Sequence, residues 1–182
     1  TKSAWLVKVT ELARDLLRWF KSNGRKNLPW QSTPPNVYHI WLSEIMLQQT
    51  QVITVIDYFN KFIACFPELA SLANAKEDEV MSNWAGLGYY SRARNLHKTA
   101  KLVSSNHKGV FPKKYDEIVA LPGIGPSTAG AILSLGSGLS TPILDGNVKR
   151  TLSRYHNCLL YTSDAADDSL RVDLGGRRII KK

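Results

Sequence analysis

Two acidic side chains far apart in the chain, Glu44 and Asp145, stand in contexts that could put them to chemical use. Glu44 lies in residues 41–52, WLSEIMLQQTQV, with Trp41, Ile45 and Met46 about it and an amide-rich stretch behind it. A carboxyl group desolvated by such neighbours has a raised pKa and keeps a proton near neutral pH, as a general acid must. A lone helical glutamate more often lies at the helix rim and pairs with a lysine, and that alternative stays open here. Asp145 precedes Gly146 and Asn147, an arrangement that also serves as a helix N-cap. If the two acids converge, they suit cleavage of a glycosidic bond. One protonates the leaving group, and the other steadies or captures an oxocarbenium-like sugar. A nucleobase is such a leaving group.

The means of holding an anionic polymer lie nearby. Residues 121–130, LPGIGPSTAG, place a Pro-Gly-Ile-Gly turn between two apolar helical patterns. Positive φ is expected at both Gly123 and Gly125, so that successive amides face one anion beside the positive end of the next helix. Such turns also join helices for steric reasons alone. Residues 86–95, GLGYYSRARN, combine Tyr89 and Tyr90 with Arg92 and Arg94 around a bend. That combination suits an aromatic wedge in a duplex with arginines on phosphates. A packed tyrosine pair on a solvated basic helix is the plainer reading. Lys149 and Arg150 suit either a phosphate contact or an ordinary surface.

These groups need a scaffold, and 182 residues at 43% apolar composition can bury a core. The 24 Lys and Arg against 15 Asp and Glu give a net charge of +9, which leans toward polyanionic partners. No run approaches the ~18 apolar residues of a membrane span, and the first residues lack the apolar core of a signal peptide, so an intracellular location is expected. Cys65 and Cys158 are too few for a disulfide framework and lack metal-site spacing, so both are expected to be buried thiols.

Apolar residues recur at helical spacing over 2–22, where Asn23-Gly24 ends the pattern, and again from 37 to 48 and on to 66, before Pro67. A short helix pair is expected over 71–85, then helices over 91–105, 115–121, 126–135 and 147–155. In the helix at 91–105, Ala93, Leu96, Ala100 and Val103 are expected inward, and Arg92, Arg94, Lys98 and Lys101 mostly outward. No useful segment alternates with period two, which makes the chain all-α.

In this order the segments resemble the helix-hairpin-helix base-excision glycosylases, most closely the MutY-type adenine DNA glycosylases. The likeness covers roughly residues 10–158 and is carried by Leu28-Pro29-Trp30, residues 43–51, residues 86–98, the hairpin and residues 144–150. It implies a six-helix barrel over 31–143 beside a second helical lobe from 1–30 and 144–158, with the active site in the cleft between. It also implies removal of adenine mispaired with 8-oxoguanine or guanine, after the adenosine has rotated out of the helix. By the same resemblance Glu44 protonates adenine at N7, Asp145 meets the sugar cation, Asn147 orients the sugar side and Trp30 lines the adenine pocket. Gln49 and Tyr89 would enter the duplex with Gln48 beside them, Gly123 and Gly125 would supply hairpin amides, and Lys149 would contact DNA. A monovalent cation on the hairpin carbonyls is a further family trait. Ser127 stands where lyase-competent relatives resembling endonuclease III carry a nucleophilic lysine. A hydroxyl cannot form the Schiff base, so a monofunctional enzyme is expected. The implied partner is double-stranded DNA with a mispaired adenine, bound by a monomer that touches no membrane. The location would be cytoplasmic in a bacterium, or nuclear or mitochondrial in a eukaryote.

After Cys158 the likeness is expected to stop. The family's four-cysteine iron-sulfur segment and its 8-oxoguanine recognition domain have no counterpart in this sequence, so no iron-sulfur cofactor is expected. Residues 159–182 read as a loosely ordered, non-family tail joined to a truncated product, whose incomplete second lobe would leave Trp5, Leu12 and Leu16 partly exposed. Two other functions compete: a DNA-binding module that has lost turnover, and an endonuclease III-type glycosylase, which Glu44 and Ser127 disfavour.

Overall fold

The computed structural model describes residues 2–157, with side-chain surroundings from residue 11 onward. Among the described residues nine α-helices and one π-helical segment make up the regular structure, and no strand occurs. Helix α1 (Lys2–Asn23) ends where the Gly24 amide donates back to the Phe20 carbonyl at 2.8 Å. Helix α2 (Val37–Leu47) is started by Asn36, whose Oδ1 accepts from the amides of Tyr38 and His39. Helices α3 (Val52–Cys65), α4 (Leu69–Asn74), α5 (Glu77–Trp84) and α6 (Ser91–Asn106) follow. The helix pair expected from residue 71 starts earlier because Glu68 and Ser71 cap each other reciprocally. Helix α7 (Tyr115–Val119), a tight turn and α8 (Pro126–Ala131) form the hairpin, and α8 runs on into a π-helical segment, Ile132–Gly136. Helix α9 (Gly146–Tyr155) closes the described chain.

Helix α2 is apolar nearly all round, with Tyr38, Ile40, Trp41, Leu42, Ile45 and Met46 buried, and a helix of that kind belongs at the centre. It packs against α3, α6, α8 and the π segment. Phe59 and Phe62 of α3, Trp84 of α5, Leu96 of α6 and Ile132 complete the core, with Phe62 edge-on to Trp84 at 6.0 Å. Arg92 departs from its expected outward position and lies buried beneath α2. Cys65 departs in the opposite sense. It is exposed at the end of α3, donating toward Asn83 Oδ1 at 3.4 Å, because the buried stripe of α3 runs through Val55, Phe59 and Phe62.

The buried apolar side chains fall between Trp30 and Leu133, and α9 contributes none. On α1, Leu16, Leu17, Trp19 and Phe20 are 49–63% exposed and Leu12 is half-buried, as expected for that face. Trp5 lies outside the residues whose side chains are described, and Cys158 and the tail at 159–182 lie outside the described residues altogether. Among the described residues no helix is long and apolar enough to cross a membrane.

Candidate active site

Central α2 carries a single acid, Glu44, on the side that faces the hairpin, and the connection into α9 delivers Asp145 to the same place. The two line one cavity of about 660 Å³ together with Gln48, Gly125, Ser127 and Asn147. Burial, and secondarily the negative charge of Asp145, push the Glu44 carboxyl above its ordinary range. Among the described residues no lysine or arginine forms an ion pair with Glu44, so the rim-pair alternative does not hold.

Asp145 is the N-cap of α9, its Oδ1 accepting from the Val148 amide at 2.7 Å. The capping alternative is therefore correct and compatible with chemistry, since the cap fixes the carboxylate at the cavity wall. The path to that wall depends on Gly130 of α8. A Cβ there would lie 2.6 Å from the Pro142 carbonyl oxygen, so only a glycine lets residues 142–145 run this close to the helix. Asn147, exposed at the cavity edge, accepts from Arg150 Nη2.

In the hairpin turn Gly123 has φ +74°, and a Cβ there would meet Asn95 Cβ at 2.8 Å. Thr99 of α6 anchors the turn by donating to the Pro122 carbonyl at 2.8 Å. Gly125 differs from expectation: its φ of −90° is accessible to any residue, so the turn takes positive φ once rather than twice. Nothing lies within 4 Å of a Cβ at Gly125. Its lack of a side chain instead keeps open the approach to the uncapped first turn of α8, where Ser127 is half-buried.

Gln49 and Tyr89 are exposed and both adopt left-handed backbone, with φ of 59° and 48°, an uncommon state for non-glycine residues. Tyr90 is also exposed, so the tyrosines are not a packed pair. Arg94 is exposed, whereas Arg92 is buried and cannot reach a phosphate. Trp30 is buried edge-on against Phe59 at 5.4 Å and is not among the residues lining the cavity. Lys149 is half-exposed in the first turn of α9. Thr50, Gln51 and Thr128 line the cavity without having been assigned a role from sequence, although each lies within a stretch that was quoted for its motif.

The chain's own side chains do not fit a four-thiolate cluster: it has two cysteines, and among the described residues no group of three or more His, Cys, Asp or Glu could hold a metal.

Adenine DNA glycosylase of Buchnera aphidicola (subsp. Baizongia pistaciae) is 55% identical over 142 residues, covering 78% of this chain and 40% of the relative. The human protein of the same name is 41% identical over 157 residues, covering 82% of this chain and 29% of the relative. The chain thus spans about 40% of the length of the bacterial relative. Among solved structures, a thermostable thymine-DNA glycosylase matches with a TM-score of 0.77 at 25% identity, covering 90% of this chain and 76% of the other. A non-covalent endonuclease III-DNA complex shares the fold, with a TM-score of 0.72 at 18% identity over 86% of this chain and 71% of the other. The model of the HhH-GPD superfamily of base excision DNA repair proteins matches residues 42–168, which take in Glu44, Gln49, Tyr89, the hairpin and Asp145, and the chain belongs to that superfamily.

Proposed function

We propose that this chain carries the catalytic centre of a monofunctional adenine DNA glycosylase acting on adenine opposite 8-oxoguanine or guanine. The observation that carries the reading is the convergence of Glu44 and Asp145 on one cavity beside the hairpin, with Glu44 driven toward its protonated form. The relatives bearing that activity in their names support the choice of base.

As a monomer, the protein holds duplex through the amides at the start of α8, which no side chain caps, and through Lys149 and Arg94. The hairpin carbonyls are where a monovalent cation would be held. Gln49 and Tyr89 enter the stack as the adenosine rotates into the cavity. The Glu44 carboxyl donates its proton to adenine N7. The C1′–N9 bond then breaks with its electron pair passing to the base, and adenine leaves neutral. The Asp145 carboxylate balances the oxocarbenium charge, water adds to C1′, and the proton that water loses returns to Glu44. Ser127 supplies no amine, so the abasic strand stays intact.

Glu44→Gln is the direct test, with a duplex bearing adenine opposite 8-oxoguanine and alkaline cleavage of abasic sites as the readout. The variant is expected to bind duplex as the wild type does and to release no adenine. Full activity in Glu44→Gln would refute the assignment. Binding without release by the wild type would leave a DNA-binding module as the function, and nicking without alkali would point to endonuclease III-type chemistry.

A further inference from the structure

Arg92 on α6 is buried, and among the described residues no carboxylate pairs with it. Backbone carbonyls take the place of a counter-ion. Its Nη1 donates to the carbonyls of Ile45 at 3.0 Å, Met46 at 2.9 Å and Gln48 at 2.5 Å, all at the C-terminal end of α2. Its Nη2 donates to the carbonyls of Leu87 at 3.2 Å and Gly88 at 3.3 Å, in the turn after α5, and to Thr50 Oγ1 at 3.3 Å. The guanidinium lies 5.4 Å from the ring centroids of both Trp84 and Tyr89. A planar fork of five donors can serve two turns at once, which an ammonium on a flexible stem cannot.

The positions of these carbonyls matter more than their number. Gln48 immediately precedes Gln49, and Gly88 immediately precedes Tyr89. Two of the five peptide planes that Arg92 grips are thus the planes whose setting fixes φ at Gln49 and Tyr89. We propose that Arg92 is a positioning residue that fastens the Gln49 and Tyr89 turns into one rigid unit, so that both tips enter a duplex together. The entry into duplex rests on the function proposed above; the fastening does not.

Two measurements test it. In the free protein, hydrogen exchange at the Thr50 and Leu87 amides reports the two turns, since each closes its turn by bonding to Leu47 and Trp84 respectively. Arg92→Lys is expected to raise exchange at both by about tenfold, roughly the effect of losing one charge-assisted hydrogen bond. Core amides of α3 should not change. A rise in one turn only, in neither, or equally in α3 would overturn the proposal.

The second measurement uses a duplex with 2-aminopurine in place of the target adenine, whose fluorescence rises on unstacking. Gln49→Ala and Tyr89→Ala, singly and together, should lower extrusion with a non-additivity of about threefold or more. Arg92→Lys should reduce the two effects to simple multiplication. Additive effects in the wild type would overturn the proposal, as would an unchanged coupling in Arg92→Lys. If Arg92→Lys does not fold, Thr50→Val, which removes one contact of the six, should weaken the coupling, and a coupling it leaves untouched counts against the proposal. A wild type that extrudes nothing refutes the glycosylase reading and the joint entry, while the exchange result still decides whether the turns are fastened.

Discussion

Adding one methyl group at Gly130 should disable the proposed chemistry without touching either acid. A Cβ there would stand 2.6 Å from the Pro142 carbonyl oxygen and 3.3 Å from Ile143 Cγ1, whereas ordinary contact begins at 3.4 Å. The Pro142 backbone must therefore withdraw from α8 by about 3.4 minus 2.6, or 0.8 Å. Asp145 lies three residues farther along the same connection and is pinned at its other side only by the cap of α9. Misplacing a reacting group by ~1 Å costs on the order of 10²-fold in rate. Gly130→Ala should thus slow single-turnover adenine release about 100-fold. The Gly125–Thr128 end of α8 is not disturbed, so affinity for duplex should stay within about threefold of the wild type. Alanine gains ~1 kcal/mol of helix propensity over glycine, which offsets part of the clash, so the variant should fold. Single-turnover release, with a binding isotherm and a thermal melt on the same preparation, measures all three. A rate within twofold of the wild type would show that Gly130 does not place Asp145.

Glu44 carries a stability signature as well. Its folded-state pKa is raised, so the unfolded chain ionises first as pH climbs past the ordinary carboxylate range, and stability is lost from there up to the folded pKa. Glu44→Gln should therefore melt higher than the wild type near pH 7, with the difference vanishing near pH 4; equal melting temperatures at both would contradict the desolvation. Cys65, exposed at the end of α3, should react with a thiol reagent under native conditions, without prior denaturation, and leave the melt unchanged. A thiol that labels only after denaturation would contradict its placement.

Helical spacing made the elements legible from sequence, because one buried stripe per helix follows directly from which residues avoid water. The site was legible where a residue broke that pattern: Glu44 is an acid amid buried neighbours, and the Pro-Gly-Ile-Gly turn interrupts two helices. Arg92 was not, because periodicity treats every charge as outward, and the carbonyls that receive this one come from residues 45–48 and 87–88, far away in the chain. Gly125 was misread because glycine looks the same in sequence whether it supplies positive φ or merely open space. Trp30 was placed at the cavity by likeness, yet its ring faces Phe59, a partner that spacing alone could not reveal.

Because a single carboxylate both starts α9 and lines the cavity, its two oxygens are already divided in labour: Oδ1 accepts from the Val148 amide, and in the proposed reaction Oδ2 is the oxygen that would meet the sugar. Alanine at this position would fray the helix and carry Asn147 and Lys149 out of register, confounding lost charge with lost shape. Asparagine keeps the cap and removes only the charge. Glutamate, one methylene longer, would keep the charge and overshoot the amide, so the helix start and the electrostatics together leave aspartate as the side chain that meets both demands.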